Sequence, residues 1–166
     1  MPWIKNSYDE REKWAMNGLT PTTRNILAQA GWRPDRSAEH TAAACRFLEA
    51  KGYEVFPCVK EALHELGGME IQFERNGSRE SFYINPEEAY GDYYDQEDFQ
   101  DLERRLDERI ILIGHVFRRN ALMFMSESGK VYGYMDDYYT WILGDHLADA
   151  LNNLCDTYNV KLIHDL

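Results

Sequence analysis

The sequence predicts an α+β domain with N-terminal helices, a mainly antiparallel sheet of about five to six strands, and a C-terminal helix. Two changes of apolar period support this order. The period is near four before Gly67-Gly68, near two after that pair, and helical again after Gly144. A length of 166 residues falls within the range of one domain. We expect residues 1–19 to be an extension and residues 20–166 to form the domain.

Three helices are predicted before the sheet. Thr20 and Pro21 supply an N-cap and a proline at the first helical position. The second helix is expected to begin after Ser37 and the third at Pro57. Glycines are expected to end these helices, at Gly31, at Gly52 and at the Gly67-Gly68 pair. A further short helix is predicted over residues 9–16, docked through aromatic rings.

Strand signals begin directly after the glycine pair. Met69, Ile71 and Phe73 alternate with polar residues, as in a half-buried strand, and Asn76-Gly77 is a strong hairpin turn. A returning strand is predicted at residues 81–84. Three more strands are predicted at residues 110–116, 121–125 and 131–134.

The remaining segments predict a loop and two helices. Residues 85–101 contain no basic residue and are predicted to form a loop, and residues 97–107 a short helix. After Gly144, an apolar stripe over residues 145–158 predicts the closing helix.

Charge restricts the kinds of partner. With 29 acidic and 18 basic residues, the formal net charge is −11, which repels phosphate backbones and anionic lipid. A basic protein partner would instead be attracted, although an acidic surface also serves solubility alone. The sequence shows no apolar run long enough for a membrane span or signal peptide. We therefore expect a cytoplasmic protein that binds neither nucleic acid nor membrane.

Signatures of catalysis and metal binding are weak. The sequence lacks a GxSxG elbow, a P-loop and a GxGxxG segment after a strand. His64-Glu65 begins like the zinc-binding HExxH pattern, but Gly68 stands where the second histidine is needed. Cys45, Cys58 and Cys155 lack the spacing of a disulfide framework or zinc knuckle. We expect no enzymatic activity, no metal and no cofactor.

Two clusters combine tyrosines with carboxylates. Tyrosine offers a large contact area at low entropy cost, and nearby carboxylates can bind lysine or arginine of a partner. The alternative is that some of these aromatic rings pack on the sheet while the acids are solvated. The predicted partner-binding residues are Tyr90, Asp92, Tyr93, Tyr94, Asp95, Glu97 and Asp98 in the first cluster, and Asp136, Asp137, Tyr138 and Tyr139 in the second. The oligomeric state is left open.

Several motifs occur in a familiar order. They are LAQAGWRPDR at residues 27–36, LHELGGMEI at 63–71, Ile113-Gly114, LMFMSESGKVY at 122–132, and Gly144 followed by Ala150-Leu151. Together they resemble the third subgroup of the SUKH superfamily, which consists of bacterial immunity proteins. The resemblance implies a SUKH fold and neutralisation of a cognate toxin by binding. It also implies that the toxin is often a nuclease or a nucleic-acid deaminase.

The motif residues are expected to be architectural. The resemblance gives Trp32 the role of a core anchor and pairs Arg36 with a buried acid. The full set is Gly31, Trp32, Pro34, Arg36, Gly67, Gly68, Gly114 and Gly144. Two alternatives to the immunity function remain open at this point: a general interaction scaffold or regulator, and a small enzyme with an unrecognised site.

Overall fold

Three helices precede the sheet in the computed structural model, which describes residues 16–37, 39–135 and 139–163. They are α1 (Pro21–Gln29), α2 (Glu39–Ala50) and α3 (Pro57–Leu66). The Thr20 hydroxyl accepts a hydrogen bond from the Thr23 amide, which caps α1 as predicted. Apart from Met16, the predicted helix over residues 9–16 lies outside the described residues.

Seven strands in the described residues form one antiparallel sheet whose strand order follows the sequence. They are β1 (Glu70–Arg75), β2 (Ser78–Ile84), β3 (Ile110–Val116), β4 (Ala121–Ser126), β5 (Val131–Met135), β6 (Tyr139–Gly144) and β7 (Lys161–Leu162). The fold class is therefore confirmed, with one strand more than the upper expectation. Strand β6 was missed because its first residue was assigned to a binding cluster, and β7 has only two residues, too few for a periodic signal.

The segment from residue 85 to residue 101 is not the predicted loop. It forms α4 (Pro86–Tyr90), a 3₁₀ turn (Gln96–Phe99) and the start of α5 (Gln100–Leu106), and α5 lies within the helix predicted at residues 97–107. The cause is local, since the Asn85 side chain accepts a hydrogen bond from the Glu88 amide and Pro86 occupies the first helical position. The ring of Phe99 then packs edge-on against Phe124 of β4, with centroids 4.8 Å apart.

The chain closes with α6 (Leu147–Asn152), which continues into a π-helical turn (Asn153–Thr157). The Asn152 side chain accepts a hydrogen bond from the Thr20 amide and donates one to the Gly18 carbonyl, joining the two ends of the domain. Met16 and Leu19 are buried in the same core, so the end of the predicted extension packs with the domain. The domain boundary at residue 20 stays a prediction.

One glycine is required by close packing of the sheet. A Cβ on Gly114 would lie 1.9 Å from the carbonyl oxygen of Tyr83 on the adjacent strand. The pairing of β3 with β4 shifts register between Leu112 and Gly114, so β3 bends where it meets β2. Gly114 therefore has an architectural role.

Within the described ranges, no helix combines the length and apolar content needed to span a membrane.

Candidate protein-binding surface

Two residues of the first motif, Trp32 and Arg36, contact the end of α3. Trp32 is buried, and its indole N–H donates to the Glu65 carboxylate over 3.1 Å. Arg36 donates to the backbone carbonyls of Glu65 and Gly67, at 2.5 and 2.6 Å, where α3 ends. Burial lowers the pKa of Arg36, while the charge of Glu65 opposes that shift. We call Trp32, Arg36 and Glu65 the motif core, because it joins two helices within the domain.

The predicted contact residue Tyr90 lies inside the protein, which corrects its assignment to an exposed surface. Its side chain is fully buried, and its ring packs against Phe47, Tyr53 and Phe99. The Tyr90 hydroxyl donates to the Tyr53 hydroxyl, and burial raises the pKa of both groups. Tyr90 therefore anchors α4 to the core and is unavailable to a partner.

The rest of the first cluster forms what we call the acidic segment, residues 92–98. Tyr93 at its start is 87% exposed, and Asp92 and Glu97 are exposed beside it. Tyr94 is half-buried, with its ring 5.3 Å from that of Phe99. Asp95 pairs with Lys51 at 3.0 Å, and the Asp98 carboxylate accepts from the Asp95 amide. The segment is thus held through Tyr94, Asp95 and Asp98, and Tyr93 is its exposed ring.

The second cluster is only partly described, since residues 136–138 (Asp136, Asp137 and Tyr138) lie outside the described residues. Tyr139 is 45% exposed and stacks on Trp141, with centroids 5.8 Å apart. It pairs with Met135, whereas the neighbouring Tyr134 pairs with Thr140. Because side chains alternate along a strand, Tyr139 lies on the opposite face of the sheet from Tyr134.

A cleft of about 640 Å³ separates the acidic segment from the sheet. Strand pairing places Tyr83, His115, Leu122 and Tyr134 in one row across four strands, and paired residues point to the same face. His115, Leu122 and Tyr134 line the cleft, while Tyr93, Glu88 and Asp98 stand on its other side. Sequence reasoning missed this row because its members come from four separate strands.

Arg119 enters the cleft from the turn between β3 and β4. Its guanidinium donates to Glu88 over 2.7 Å and to Glu70 over 3.4 Å, and it lies 4.7 Å from the ring centroid of Tyr83. The pKa of the neighbouring His115 is lowered, first by burial and then by the charge of Arg119. His115 is therefore neutral at neutral pH.

The three cysteine thiols are free. Burial raises the pKa of Cys45 and Cys58, and raises that of Cys155 to about 12. A protonated thiol is a poor nucleophile. The Cys58 thiol donates a hydrogen bond to the Ser126 carbonyl over 3.3 Å. In the part of the chain that the structure describes, histidine, cysteine and acidic side chains form no group suited to a metal ion.

Comparison with family models identifies the class, since the model described as SUKH-3 immunity protein matches residues 19–157. The chain belongs to the SUKH-3 immunity protein family, as the motifs predicted. Membership implies an immunity role and binding of a cognate toxin, and the family is generally non-enzymatic. No curated protein and no solved structure matches the chain.

Proposed function

We propose that this immunity protein neutralises a toxin that acts on nucleic acid, by covering a basic surface of the toxin with the acidic segment. The observation that carries the proposal is Tyr93, a ring 87% exposed on a segment fixed to the core. The toxin is a nuclease or a nucleic-acid deaminase, and the immunity protein binds it in the cytoplasm.

The way in which Tyr93 is held favours tight binding. Tyr90 on one side and Phe99 on the other are buried, so the short stretch between them is anchored at both ends. Ordering a mobile loop on binding costs about 0.5 to 1.5 kcal/mol for each immobilised side chain. A segment that is fixed before binding avoids much of that cost, as matured antibody loops do.

Charge supports the chemistry of the partner. An enzyme that binds nucleic acid carries lysine and arginine around its cleft, because contacts with the phosphates dominate its affinity for nucleic acid. Asp92, Glu97 and Asp98 project from the acidic segment, on a chain of net charge −11. Complementary potentials accelerate encounter, and well-placed carboxylates compete with phosphate for the same basic groups.

The proposal is tested by co-expressing the protein with the product of the adjacent gene, and by scoring cell survival and co-purification. We expect the neighbour to be toxic alone and to be rescued with a stable complex. Tyr93→Ala should weaken the complex and the rescue, whereas Tyr158→Ala, at a tyrosine that is 51% exposed and lies outside the acidic segment, should rescue as well as the wild type. If the neighbour is toxic and neither rescue nor a complex is observed, the immunity pairing is wrong and a scaffold function replaces it.

A further inference from the structure

The cleft beside the acidic segment already holds one guanidinium, supplied by the chain itself. Arg119 and Glu88 line the cleft and form an ion pair. The Arg119 guanidinium also contacts the Glu70 carboxylate and the ring face of Tyr83, which are not among the lining residues. Two carboxylates and an aromatic face are the groups that arginine binds best, since its planar fork pairs with carboxylates and stacks on rings. The Glu88 end of the cleft therefore adjoins a site that holds a guanidinium.

The backbone that places Arg119 there is unusual. Phe117, Arg118 and Arg119 have consecutive positive φ angles of 54°, 56° and 66°. Side-chain-bearing residues rarely adopt this left-handed region, and each costs about 1 kcal/mol or more. The turn is held by a hydrogen bond from the Arg118 amide to the Ser81 carbonyl and one from the Asn120 amide to the Phe117 carbonyl.

The remainder of the cleft, as the described residues form it, repeats the same chemistry. Tyr93, Tyr94 and Tyr134 supply rings, and Asp98 supplies a carboxylate on the side of the acidic segment. The ion pair of Arg119 with Glu88 is itself partly solvated, with side-chain exposures of 42% and 47%. An exposed pair of this kind contributes at most about 1 kcal/mol, so an incoming group can replace it.

We propose that the cleft is a subsite for an arginine side chain of the toxin, and that Arg119 occupies the Glu88 end of that subsite in the free protein. The incoming guanidinium competes with Arg119 for Glu88 and stacks against the tyrosines. The identity of the partner rests on the proposed function, whereas the chemistry of the cleft is testable without the toxin.

Competition predicts that one substitution in the cleft strengthens, rather than weakens, the binding of an arginine ligand. Arg119→Gln removes the internal competitor and frees Glu88, Glu70 and the face of Tyr83, so it should strengthen binding of an arginine ligand. Arg118→Gln is the matched control, because it makes the same charge change one residue earlier on an exposed side chain. Any difference between the two variants then reports the local site, since their long-range electrostatic effects are nearly equal.

The experiment is an NMR titration of the full chain with Nα-acetyl-arginine amide at low ionic strength. We expect a dissociation constant on the order of millimolar for the wild type, with shifts at the amides of His115, Leu122 and Tyr134. Arg119→Gln should bind about fivefold more tightly than Arg118→Gln, a difference of about 1 kcal/mol. Glu88→Gln should weaken binding, and Nα-acetyl-lysine amide should bind less tightly because it lacks the planar fork.

Equal or weaker binding by Arg119→Gln than by Arg118→Gln overturns the subsite, as does a titration whose shifts lie outside the cleft. Repeating the comparison with the toxin separates the two proposals. A toxin that binds the wild type, but binds Arg119→Gln no more tightly than Arg118→Gln, overturns the subsite and leaves the immunity function standing. If the arginine ligand binds in the cleft as expected but no complex with the toxin forms, the subsite is supported and the proposed function is overturned.

Discussion

The motif core and the acidic segment both combine aromatic rings with charged groups, and their burial separates their roles. In the motif core, Trp32 and Glu65 are buried and satisfy each other, while Arg36 binds carbonyls at the end of α3. In the acidic segment, Tyr93 is almost fully exposed. The motif residues Trp32 and Arg36 therefore support the fold, whereas the proposed contact surface lies in a segment outside the family motifs. The difference indicates that the motifs which identify the family are structural in this protein.

Gly114→Ala should produce the largest loss of stability. The added Cβ would meet the Tyr83 carbonyl oxygen, and neither backbone can move away without breaking the pairing of β2 and β3. We expect a loss of about 3 kcal/mol or more in the free energy of unfolding, measured by urea denaturation. Gly133→Ala is the control within the same sheet, because its nearest neighbour would be 3.4 Å away. A loss of unfolding free energy in Gly114→Ala as small as that in Gly133→Ala would contradict the close approach of Gly114 to the Tyr83 carbonyl.

Glu65→Ala tests the motif core directly. It leaves the Trp32 indole N–H without its acceptor and removes the charge nearest to Arg36. The expected loss is about 2 to 3 kcal/mol in the free energy of unfolding, with unchanged affinity of the folded protein for its toxin. Glu61→Ala, one helical turn earlier on α3, should cost less than about 0.5 kcal/mol. Weaker toxin binding by folded Glu65→Ala would place the motif core in the interface.

Tyr93→Ala and Tyr139→Ala compare the two predicted clusters. Tyr93 stands at the cleft, whereas Tyr139 stacks on Trp141 on the other face of the sheet. We expect Tyr93→Ala to weaken toxin binding by about 1 to 2 kcal/mol, roughly 5- to 30-fold, without lowering thermal stability. Tyr139→Ala should change affinity less than about twofold if one face binds the toxin. Calorimetric titration of each variant with the toxin shows whether one face of the sheet binds the toxin or both faces do.

The smallest expected effect is the pH dependence contributed by His115. Burial and the charge of Arg119 lower the pKa of His115 in the folded protein. Below a pH of about 6.5, His115 therefore takes up a proton in the unfolded chain while it stays neutral in the folded protein. The contribution of His115 to the free energy of unfolding is therefore fully present above that pH, and it is lost as the pH falls through the pKa that His115 has in the folded protein. His115→Gln should lose less unfolding free energy than the wild type between pH 7.5 and 5.5. His40→Gln, at an exposed histidine, is the control, and an unchanged pH slope in His115→Gln would contradict the assignment.

Local signals in the sequence predicted most helices and strands correctly. Thr20 with Pro21, the Gly67-Gly68 pair and the Asn76-Gly77 turn each act within a few residues, and the structure has an element boundary or turn at each. Residues 85–101 were predicted as a loop because they are rich in carboxylates, but Asn85 and Pro86 form a helix N-terminus. Tyr90 was predicted at the surface for the same reason, although the last residue of a short amphipathic helix can point inward.

The sequence by itself determined the fold class, the family and the negative charge, because periodicity, motif order and composition are properties of the chain. Only the tertiary structure decided which tyrosines are exposed and where the cleft lies. The row of Tyr83, His115, Leu122 and Tyr134 depends on strand register, and the position of Arg119 depends on a left-handed turn. Such contacts join residues far apart in the sequence, and their geometry follows from the packing of whole elements.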